Sequence, residues 1–595
     1  MNGTLDLAAK FDGATEEAWR AAARKALGDA VESALGTRRD WPLTNASGLP
    51  GRAPYTRGTK IARARWDIRT LISETSPSLA AAQAQEDIAG GASSIWIDTR
   101  PFGDPASALA FVVSGVQQSG IALALDRASV ATARTVLQTA GEAKLFLGLD
   151  HFAAMARGVG TLSDLAGMIT LAREAVLNHP NTRAISIDGR VYHNAGATPA
   201  QELAGVLASG VGYLRALASA GVSIRDAASQ LAFILVSDAN FVTSIAKLRA
   251  FRRCWANVLK ACGASEAMLD MHVAAVSSAL MMTRHDAHTN ILRTALAGFA
   301  AAVAGADAIA LSPFDVRLGS ASAEARRIAR NTQNILLEEV NAARVIDPSG
   351  GAFAIERATE ELAQAAWREF QTIEAQGGMA ETLSNGFIAR KISSGWETRR
   401  KRISTRTEWI TGISDFPLLG EPVPLPPTPE NAACNGKTLG LLSRHYLDDD
   451  FETMRAASDA YYKAHGARPK IYLVAIGSEI ESGPRVAFAR SLFEAGGIET
   501  VTSVSTGDAQ SAAAAYLDSG VPLAALCSSD AVYSERALAY AHEIARSGAR
   551  YLYLIGAARD LEPALREAGV DEFVTEEVDA AELLRRALET FGIAS

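Results

Sequence analysis

The feature that most constrains the fold is a regular alternation of short apolar runs with helical segments across residues 56–400. The runs are Ser94–Asp98, Ile121–Leu125, Lys144–Leu149, Ala184–Ile187, Ala232–Val236, Met271–Val276, Ala308–Leu311 and a last one near Ala343–Ile346. Short strands separated by helices are typical of a parallel sheet. Eight of them over about 300 residues predict a (β/α)8 TIM barrel, with any active site at the carboxyl ends of the strands.

A second α/β unit follows a change in composition. Residues 417–436 (PLLGEPVPLPPTPENAACNG) are dominated by Pro, Gly and Asn, which predicts an extended linker. Beyond it, five apolar strands, each followed by an amphipathic helix, predict a doubly wound, flavodoxin-like sheet. These strands are Lys470–Gly477, Thr500–Val504, Leu523–Cys527, Tyr551–Ile555 and Glu572–Thr575.

The chain therefore divides into four predicted segments. A helical arm covers residues 1–50, the barrel 51–400, the linker 401–467 and the second α/β domain 468–595. At 595 residues the chain exceeds the size at which one core stops growing, roughly 250–300 residues, so several modules are expected. A lone N-terminal helix needs another surface to pack on, which suggests a partner.

Composition narrows the class of protein. The formal net charge of −8 gives no electrostatic reason to expect a nucleic-acid partner. Cys254, Cys262, Cys434 and Cys527 form no CxxC or metal-like pair, so free thiols in a reducing compartment are expected. The N-terminus lacks the pattern of a signal peptide, and no run of about 18 apolar residues occurs. We expect a cytoplasmic protein without a membrane segment.

Four stretches in a fixed order resemble the methylmalonyl-CoA mutase family. They are ARWDIRTL (64–71), NAGATPAQELAGVLASGVGYLRA (194–216), FVTSIAKLRAFRRCWANVL (241–259) and the long segment 325–379, which begins ARRIARNTQNILLEEVNAARVIDPSGG. Each stretch alone has a plain structural explanation, such as a solvated helix face for Arg327 and Glu338. The ordered occurrence of all four is what carries the resemblance. The resemblance implies a barrel followed by a cobalamin-binding-type domain, and adenosylcobalamin as the radical source.

The cobalt-binding loop of that family is degenerate here. The family carries a DxHxxG loop after the first strand of its cobalamin domain, and its positions correspond to Ser478, Ile480 and Gly483. Isoleucine has no lone pair for a metal, and serine lacks the carboxylate that orients a ligating imidazole. The family's SSL and GG signals, which accommodate the nucleotide tail, appear as 528–530 (SSD) and 556–557 (GA). We therefore expect Ser528 and Gly556 to mark a decayed binding site.

The barrel positions show a similar loss. Leu71 stands where the family's catalytic subunit has a tyrosine that steers the substrate radical, and Val191 stands where it has the histidine of a substrate-binding Tyr-His pair. Tyr192 and His193 lie two residues farther on, which leaves open whether they enter the barrel mouth. Ala274 belongs to an apolar strand in place of a polar, CoA-facing one. No catalytic, cofactor-binding or metal-binding residue is therefore predicted.

The resemblance implies a non-catalytic small subunit of a heterodimeric methylmalonyl-CoA mutase. Its partner would be a homologous large subunit that carries adenosylcobalamin and converts methylmalonyl-CoA to succinyl-CoA. The N-terminal arm and the region 400–467 are expected to wrap that partner, and docking of a G-protein chaperone stays open.

Two alternatives remain from other classes. The chain could be an active acyl-CoA mutase that binds cobalamin without a protein ligand, or a non-enzymatic scaffold or regulator of another B12 protein. A nucleotide enzyme using the second domain fits poorly, because the turn after its first strand reads GSEIESG and not GxGxxG.

Overall fold

The structure is a computed structural model. It describes residues 53–56, 58, 65–74, 76–99, 120–139, 142–159, 162–265, 269, 271–420, 442–502, 507–557 and 559–593, together with helical positions 18, 21, 22, 24 and 25. Apart from those five positions, the predicted arm 1–50 lies outside the described residues. So does most of the Pro-rich stretch, from 421 to 441.

Eight parallel strands form a closed barrel, which confirms the predicted fold. The strands are β1 Asp67–Ile72, β2 Ser94–Asp98, β3 Ala122–Asp126, β4 Leu145–Leu149, β5 Thr182–Asp188, β6 Leu231–Ser237, β7 His272–Ser277 and β8 Ala308–Ala310. Each strand pairs with the next in the chain, and β1 also pairs with β8 through Asp67 opposite Ala308 and Arg69 opposite Ala310. This last pairing closes the barrel.

One predicted strand is wrong. Residues 343–346 form turns and bends after a helix, and Val345 is 58% exposed. The strand that completes the barrel is β1, within the ARWDIRTL stretch, which pairs with β2 on one side and β8 on the other. Because β1 fills the last place in the closed ring, the apolar run at 343–346 has no free strand edge to pair with.

Helices surround the barrel. They are α1 Pro77–Ala89, α2 Val130–Thr139, α3 His151–Ala156, α4 Leu162–Asn178, α5 Arg190–His193, α6 Pro199–Ser219, α7 Ile224–Ser229, α8 Phe241–Ala261, α9 Thr289–Val303, α10 Ala323–Glu338, α11 Phe353–Ala375, α12 Met379–Ser384 and α13 Phe387–Ser404. Helix α6 starts at a capping box formed by Thr198 and Gln201. A Cβ at Gly210 would lie 2.6 Å from the Trp255 ring, so glycine lets α6 and α8 pack closely.

The predicted linker 401–467 is not extended throughout, which corrects that boundary. Helix α13 continues to Ser404, and a further helix, α14, spans Asp449–His465. Phe451 and Met454 on α14 are buried in the core of the second module. Acidic side chains in the first turn of α14 favour the helix by opposing the positive end of its dipole.

The second module has a five-stranded parallel sheet in the order β10-β9-β11-β12-β13, which confirms the flavodoxin-like prediction. Its strands are β9 Lys470–Ala475, β10 Glu499–Thr502, β11 Leu523–Cys527, β12 Tyr551–Ile555 and β13 Glu572–Val574. Its helices are α15 Glu479–Ala495, α16 Ala509–Ser519, α17 Asp530–Arg546, α18 Glu562–Glu567 and α19 Ala580–Glu589. Separate apolar clusters cover the two faces of the sheet.

Candidate functional site

Side chains fill the barrel interior. The apolar set that meets on the inward faces of the strands is Trp96, Ala122, Ala124, Phe146, Ala232, Ile234, Ala274, Ala308 and Ala310. Ala274 is 3% exposed, so it lies in this packed interior. Small side chains on most strands leave room for the two large rings, and the result is a solid core.

Arg190 lies across the barrel mouth. Its guanidinium donates to Asp188 at 2.8 Å and 2.9 Å and also forms an ion pair with Asp126. The guanidinium carbon lies 4.4 Å from the centre of the Trp96 ring, a cation–π geometry. The resemblance predicts that Arg190 takes the place of the tyrosine in the family's substrate-binding pair. In the structure, Arg190 contacts side chains of three strands, β2, β3 and β5.

Asp188 is the centre of this charged network. It also pairs with Arg157, and its backbone amide donates to Asp150 at 2.7 Å. Burial alone would raise the pKa of Asp188, but Arg190 and Arg157 hold it well below its usual value. The carboxylate stays ionised and bound to arginine, which leaves it a poor general base.

The role of this network was missed at the sequence level, although a signal exists. Three barrel strands, β2, β3 and β5, end in an aspartate: Asp98, Asp126 and Asp188. The carboxyl ends of barrel strands meet at one mouth, so the three carboxylates lie close together there. Cationic side chains are therefore expected beside them. Arg190, directly after β5, is the cation nearest in sequence to one of them.

Val191, Tyr192 and His193 belong to the short helix α5. Val191 is buried, and the Tyr192 hydroxyl lies 3.0 Å from the Ser209 hydroxyl and 3.6 Å from the sulfur of Met379. These contacts direct Tyr192 into the helical shell. Burial raises the pKa of Tyr192 far above its usual value, and the Asp150 charge adds to this.

His193 is held by groups at the edge of the barrel. Its Nδ1 lies 3.2 Å from Glu202 and its Nε2 lies 2.8 Å from the Ser278 hydroxyl. Glu202 is fully buried, accepts from the Val236 amide at 2.9 Å and pairs with Lys247 at 2.6 Å. Burial alone would raise the pKa of Glu202, but Lys247 and His193 together lower it. This is a satisfied structural network.

Leu71 lies at the rim of the barrel mouth and is 41% exposed. It lines a cleft with a volume of about 200 Å³ at the carboxyl ends of β1 and β8. A leucine there offers no hydrogen bond to a bound molecule.

In the second module, the loop after β9 supports its own helix. Ser478 is the N-cap of α15, and Glu481 accepts from both the Ser478 amide and the Ser478 hydroxyl at 2.7 Å. Ile480 is 90% exposed, and Gly483 lies inside α15. The positions that the resemblance assigns to the family's cobalt-binding loop are therefore a capped helix start and an exposed apolar side chain.

The groove beside β11 and β12 is occupied by Arg485. Its guanidinium bonds to the Ser528 carbonyl and to Asp530, and it lies 5.0 Å from the Tyr533 ring. Ser528 is buried, and its hydroxyl donates to the Ile476 carbonyl at 2.7 Å. Gly556 has φ of +131°, and a Cβ there would meet the Arg485 guanidinium at 2.6 Å. Arg485 thus takes up the space that the Gly556 backbone leaves free.

Among the described ranges, no group of three or more His, Cys, Asp or Glu side chains is arranged to hold a metal ion. In the same part of the chain, no helix combines the length and the apolarity that a bilayer crossing requires.

Comparison with known proteins gives matches along the whole chain. The family model described as methylmalonyl-CoA mutase matches residues 162–452. A methylmalonyl-CoA mutase small subunit from Streptomyces virginiae is 38% identical, covering 99% of this chain and 99% of that protein. One from Propionibacterium freudenreichii subsp. shermanii is 31% identical, covering 99% and 97%. A methylmalonyl-CoA mutase from Rhizobium meliloti (strain 1021) is 33% identical, covering 47% of this chain and 40% of that protein.

Proposed function

The chain belongs to the methylmalonyl-CoA mutase family, and on this premise we propose that it is the non-catalytic small subunit of a heterodimeric mutase. A larger homologous subunit binds adenosylcobalamin and isomerises methylmalonyl-CoA to succinyl-CoA. This chain is then a pseudoenzyme that contributes structure to the complex.

The observation that carries the proposal is the position of Arg190. A substrate entering the barrel mouth would have to displace a guanidinium that is bound to Asp126 and Asp188 and stacked on Trp96. Breaking a buried ion pair typically costs about 3–5 kcal/mol. Binding at this mouth is therefore opposed before any contact with a substrate is made.

The second module does not fit cobalamin in the way the family binds it. Ile480 has no donor atom for cobalt, and Ser478 is engaged with Glu481. Arg485 and Asp530 occupy the groove where the nucleotide tail of the cofactor would lie. No step of the reaction therefore uses a cofactor bound to this chain.

The function left to this chain is to support its partner. Obligate interfaces of this kind bury upwards of about 2,000 Å². We place the contact on the N-terminal arm and on the region 400–467, and the complex in the cytoplasm, where the buried thiols of Cys254 and Cys527 would stay reduced.

The test compares the purified chain with a complex in which it is co-expressed with its larger homologue. We expect the chain alone to be colourless and inactive, and the complex to hold one cobalamin per heterodimer and to turn over methylmalonyl-CoA. Cobalamin bound by this chain alone, with turnover, would show that the proposal is wrong.

Two variants of this chain sharpen the test. Replacing Arg190→Tyr together with Val191→His restores the family's residue pair, and we expect it to yield no turnover without the larger subunit. Replacing Ile480→Ser should leave turnover of the complex unchanged, because Ile480 ligates nothing. A large loss with Ile480→Ser would mean that this loop serves the reaction.

A further inference from the structure

A short turn after α13 supplies apolar side chains to the core of the second module. Residues 410–415 close on themselves, and the Gly412 amide donates to the Asp415 carbonyl at 2.8 Å. Ile410 and Ile413, inside the turn, are buried in the cluster that covers one face of the five-stranded sheet. The inner side of this turn is therefore part of the fold of this chain.

The outer side of the turn carries large apolar side chains that the core does not cover. Within the described part of the region 400–467, the three most exposed of these are Trp409, Phe416 and Leu418. Trp409 is 68% and Phe416 72% exposed, so together they present roughly 200–350 Å² of aromatic surface, given roughly 150–250 Å² for each such side chain. One side of a standard protein interface buries about 800 Å². These two rings alone would supply about a quarter or more of that area.

The backbone at Phe416 is strained in a way that fixes its ring outside the core. Its φ of +51° lies in the left-handed region, which a bulky side chain rarely adopts. The preceding residue, Asp415, accepts from Arg406 at 2.8 Å, and Arg406 also donates to Ser491 of α15 at 2.8 Å. Strain that the surrounding contacts maintain is typical of functional positions.

The barrel holds the other side of the same turn. Arg293 of α9 donates to the Thr411 carbonyl at 2.7 Å. Next to this contact, Leu292 and Leu296 are exposed on α9, and residues four apart share one face of a helix. They add apolar surface beside the turn. We call the five side chains Trp409, Phe416, Leu418, Leu292 and Leu296 the turn patch.

The cations that precede the turn patch in the chain are engaged in ion pairs. The pairs are Arg399 and Arg402 with Glu408, Arg400 with Asp450, Lys401 with Asp579, and Arg406 with Asp415. A surface for nucleic acid or for an anionic membrane would keep such cations available to phosphate groups. An apolar centre beside paired charges is typical of a protein–protein contact.

We propose that the turn patch packs against an apolar face of the larger homologous subunit. This inference rests on the proposed function, which supplies that partner, and it narrows the contact within the region 400–467 to one fixed surface that also includes α9. Tryptophan is enriched among the residues that dominate binding energy, so Trp409 is assigned to the centre of the contact. Because both modules already hold the turn in place, association does not have to order it.

The first experiment is hydroxyl-radical footprinting of the unmodified chain, alone and in the co-expressed complex. We expect oxidation of Trp409 and Phe416 to fall at least fivefold in the complex. Leu517 is the internal control, because it is exposed on α16, whose buried residues belong to the cluster on the opposite face of the sheet. Its oxidation should be equal in the two samples.

The second experiment uses variants of this chain in the complex. Phe416→Asn removes the ring and suits a positive φ, so the urea midpoint of this chain alone should stay the same or rise. Combined with Trp409→Gln, it should raise the concentration at which the heterodimer dissociates at least tenfold, as measured by sedimentation velocity. A lower urea midpoint for Phe416→Asn would show that the ring serves the fold of this chain, and would overturn the proposal.

A matched double variant controls for the loss of exposed apolar surface. Leu177→Gln with Leu517→Gln removes two exposed leucines, on α4 and α16, and should dissociate as the parent complex does. Equal dissociation of the Trp409→Gln, Phe416→Asn complex and the parent would show that the turn patch is not the contact.

The same samples separate this inference from the proposed function. If the parent chain and the larger homologue do not associate, the proposed function is wrong and the partner assigned to the turn patch is wrong with it. If they associate while Trp409 and Phe416 are oxidised as in the free chain, the proposed function stands and the surface is wrong. Protection of both rings in this chain alone, lost on dilution, would assign the turn patch to a second copy and overturn the proposal.

Discussion

The Nδ1 atom of His285 lies 2.8 Å from a carboxylate oxygen of Glu452, and this contact joins the barrel to the second module. His285 follows β7, and Glu452 lies in the first turn of α14. The other ring nitrogen of His285 lies 3.6 Å from Asp459. Burial alone would lower the pKa of His285, but Asp459 and Glu452 raise it above its usual value of 6.5.

This contact predicts a stability that falls as the solution becomes alkaline. The pKa of His285 is higher in the folded state than in the unfolded state. Its contribution to the free energy of unfolding is therefore fully present below pH 6.5 and is lost as the pH rises through the pKa of the folded state. Burial also raises the pKa of Asp448 to about 7, so its contribution likewise declines with rising pH, but from 3.8 upward. We expect the urea midpoint to be lower at pH 8 than at pH 6.5.

A pair of variants tests whether the histidine contributes to this pH dependence. His285→Gln should reduce the difference between the two midpoints, whereas the change at the exposed His542→Gln should leave it unchanged. The charge of Glu452, which contacts His285, also affects the pKa of Asp448, so the comparison reports on His285 together with these two carboxylates. An identical pH dependence in His285→Gln and the parent would contradict the assignment.

Arg190→Leu should destabilise the barrel. The change leaves the carboxylates of Asp126 and Asp188 at the mouth with fewer cations, and removing one partner of a buried pair costs about 3–5 kcal/mol. The double variant Arg190→Leu with Asp126→Asn should recover part of this loss, since one unpaired charge is removed with its partner. Urea unfolding of both proteins measures the difference, and a single variant as stable as the parent would refute the stabilising role of Arg190.

The pair Glu202 and Lys247 predicts strong non-additivity. Glu202→Gln leaves the Lys247 ammonium, which is 2% exposed, without its carboxylate partner. We expect the free energy of unfolding to fall by about 3–5 kcal/mol. Lys247→Met alone leaves the Glu202 carboxylate without its ammonium partner, and we expect a similar loss of stability. The double variant Glu202→Gln with Lys247→Met should cost less than the sum of the two, because no charge is left unpaired. A double-mutant cycle by urea denaturation checks this, and simple additivity would show that the two groups do not interact.

Restoring the cobalt ligand alone should not restore cobalamin binding. Ser478→Asp together with Ile480→His recreates the ligand pair, but Arg485 and Asp530 still occupy the adjoining groove. We expect no visible absorbance of bound cobalamin after gel filtration with the cofactor. The parent chain treated in the same way is the control, and stoichiometric cobalamin on the variant would mean that the groove is no obstacle.

Most of the strands that sequence reasoning found have one property in common. Most are apolar runs between turn residues, as in Leu523–Cys527 and Tyr551–Ile555, and such runs are typical of parallel sheets. Strand β1 escaped this criterion because DIRTLI is half polar, with Arg69 inside the barrel and Thr70 on the shell side. Its assignment depends on the free place between β2 and β8, which the local sequence does not show.

The sequence predicted which functional side chains are missing from the candidate site. It did not predict which interactions the side chains present there make instead. The chemistry of Ile480 and Leu71 follows from residue type alone. The position of Arg190 in sequence was clear, but the direction of its side chain was not, because Asp126 is 64 residues away and meets it only when the barrel has closed. Long-range pairs of this kind are invisible to local patterns.

The pairing of β1 with β8 also sets an order of events during synthesis. Asp67 meets Ala308 only after roughly 240 further residues have been made, which takes about 12 to 48 seconds at ordinary elongation rates. During that interval one edge of β1 has no neighbouring strand, and the apolar side chains of Ile68 and Ile72 are not yet covered by a complete helical shell. The rate of translation therefore determines how long the incomplete barrel is exposed to aggregation before β1 can pair with β8.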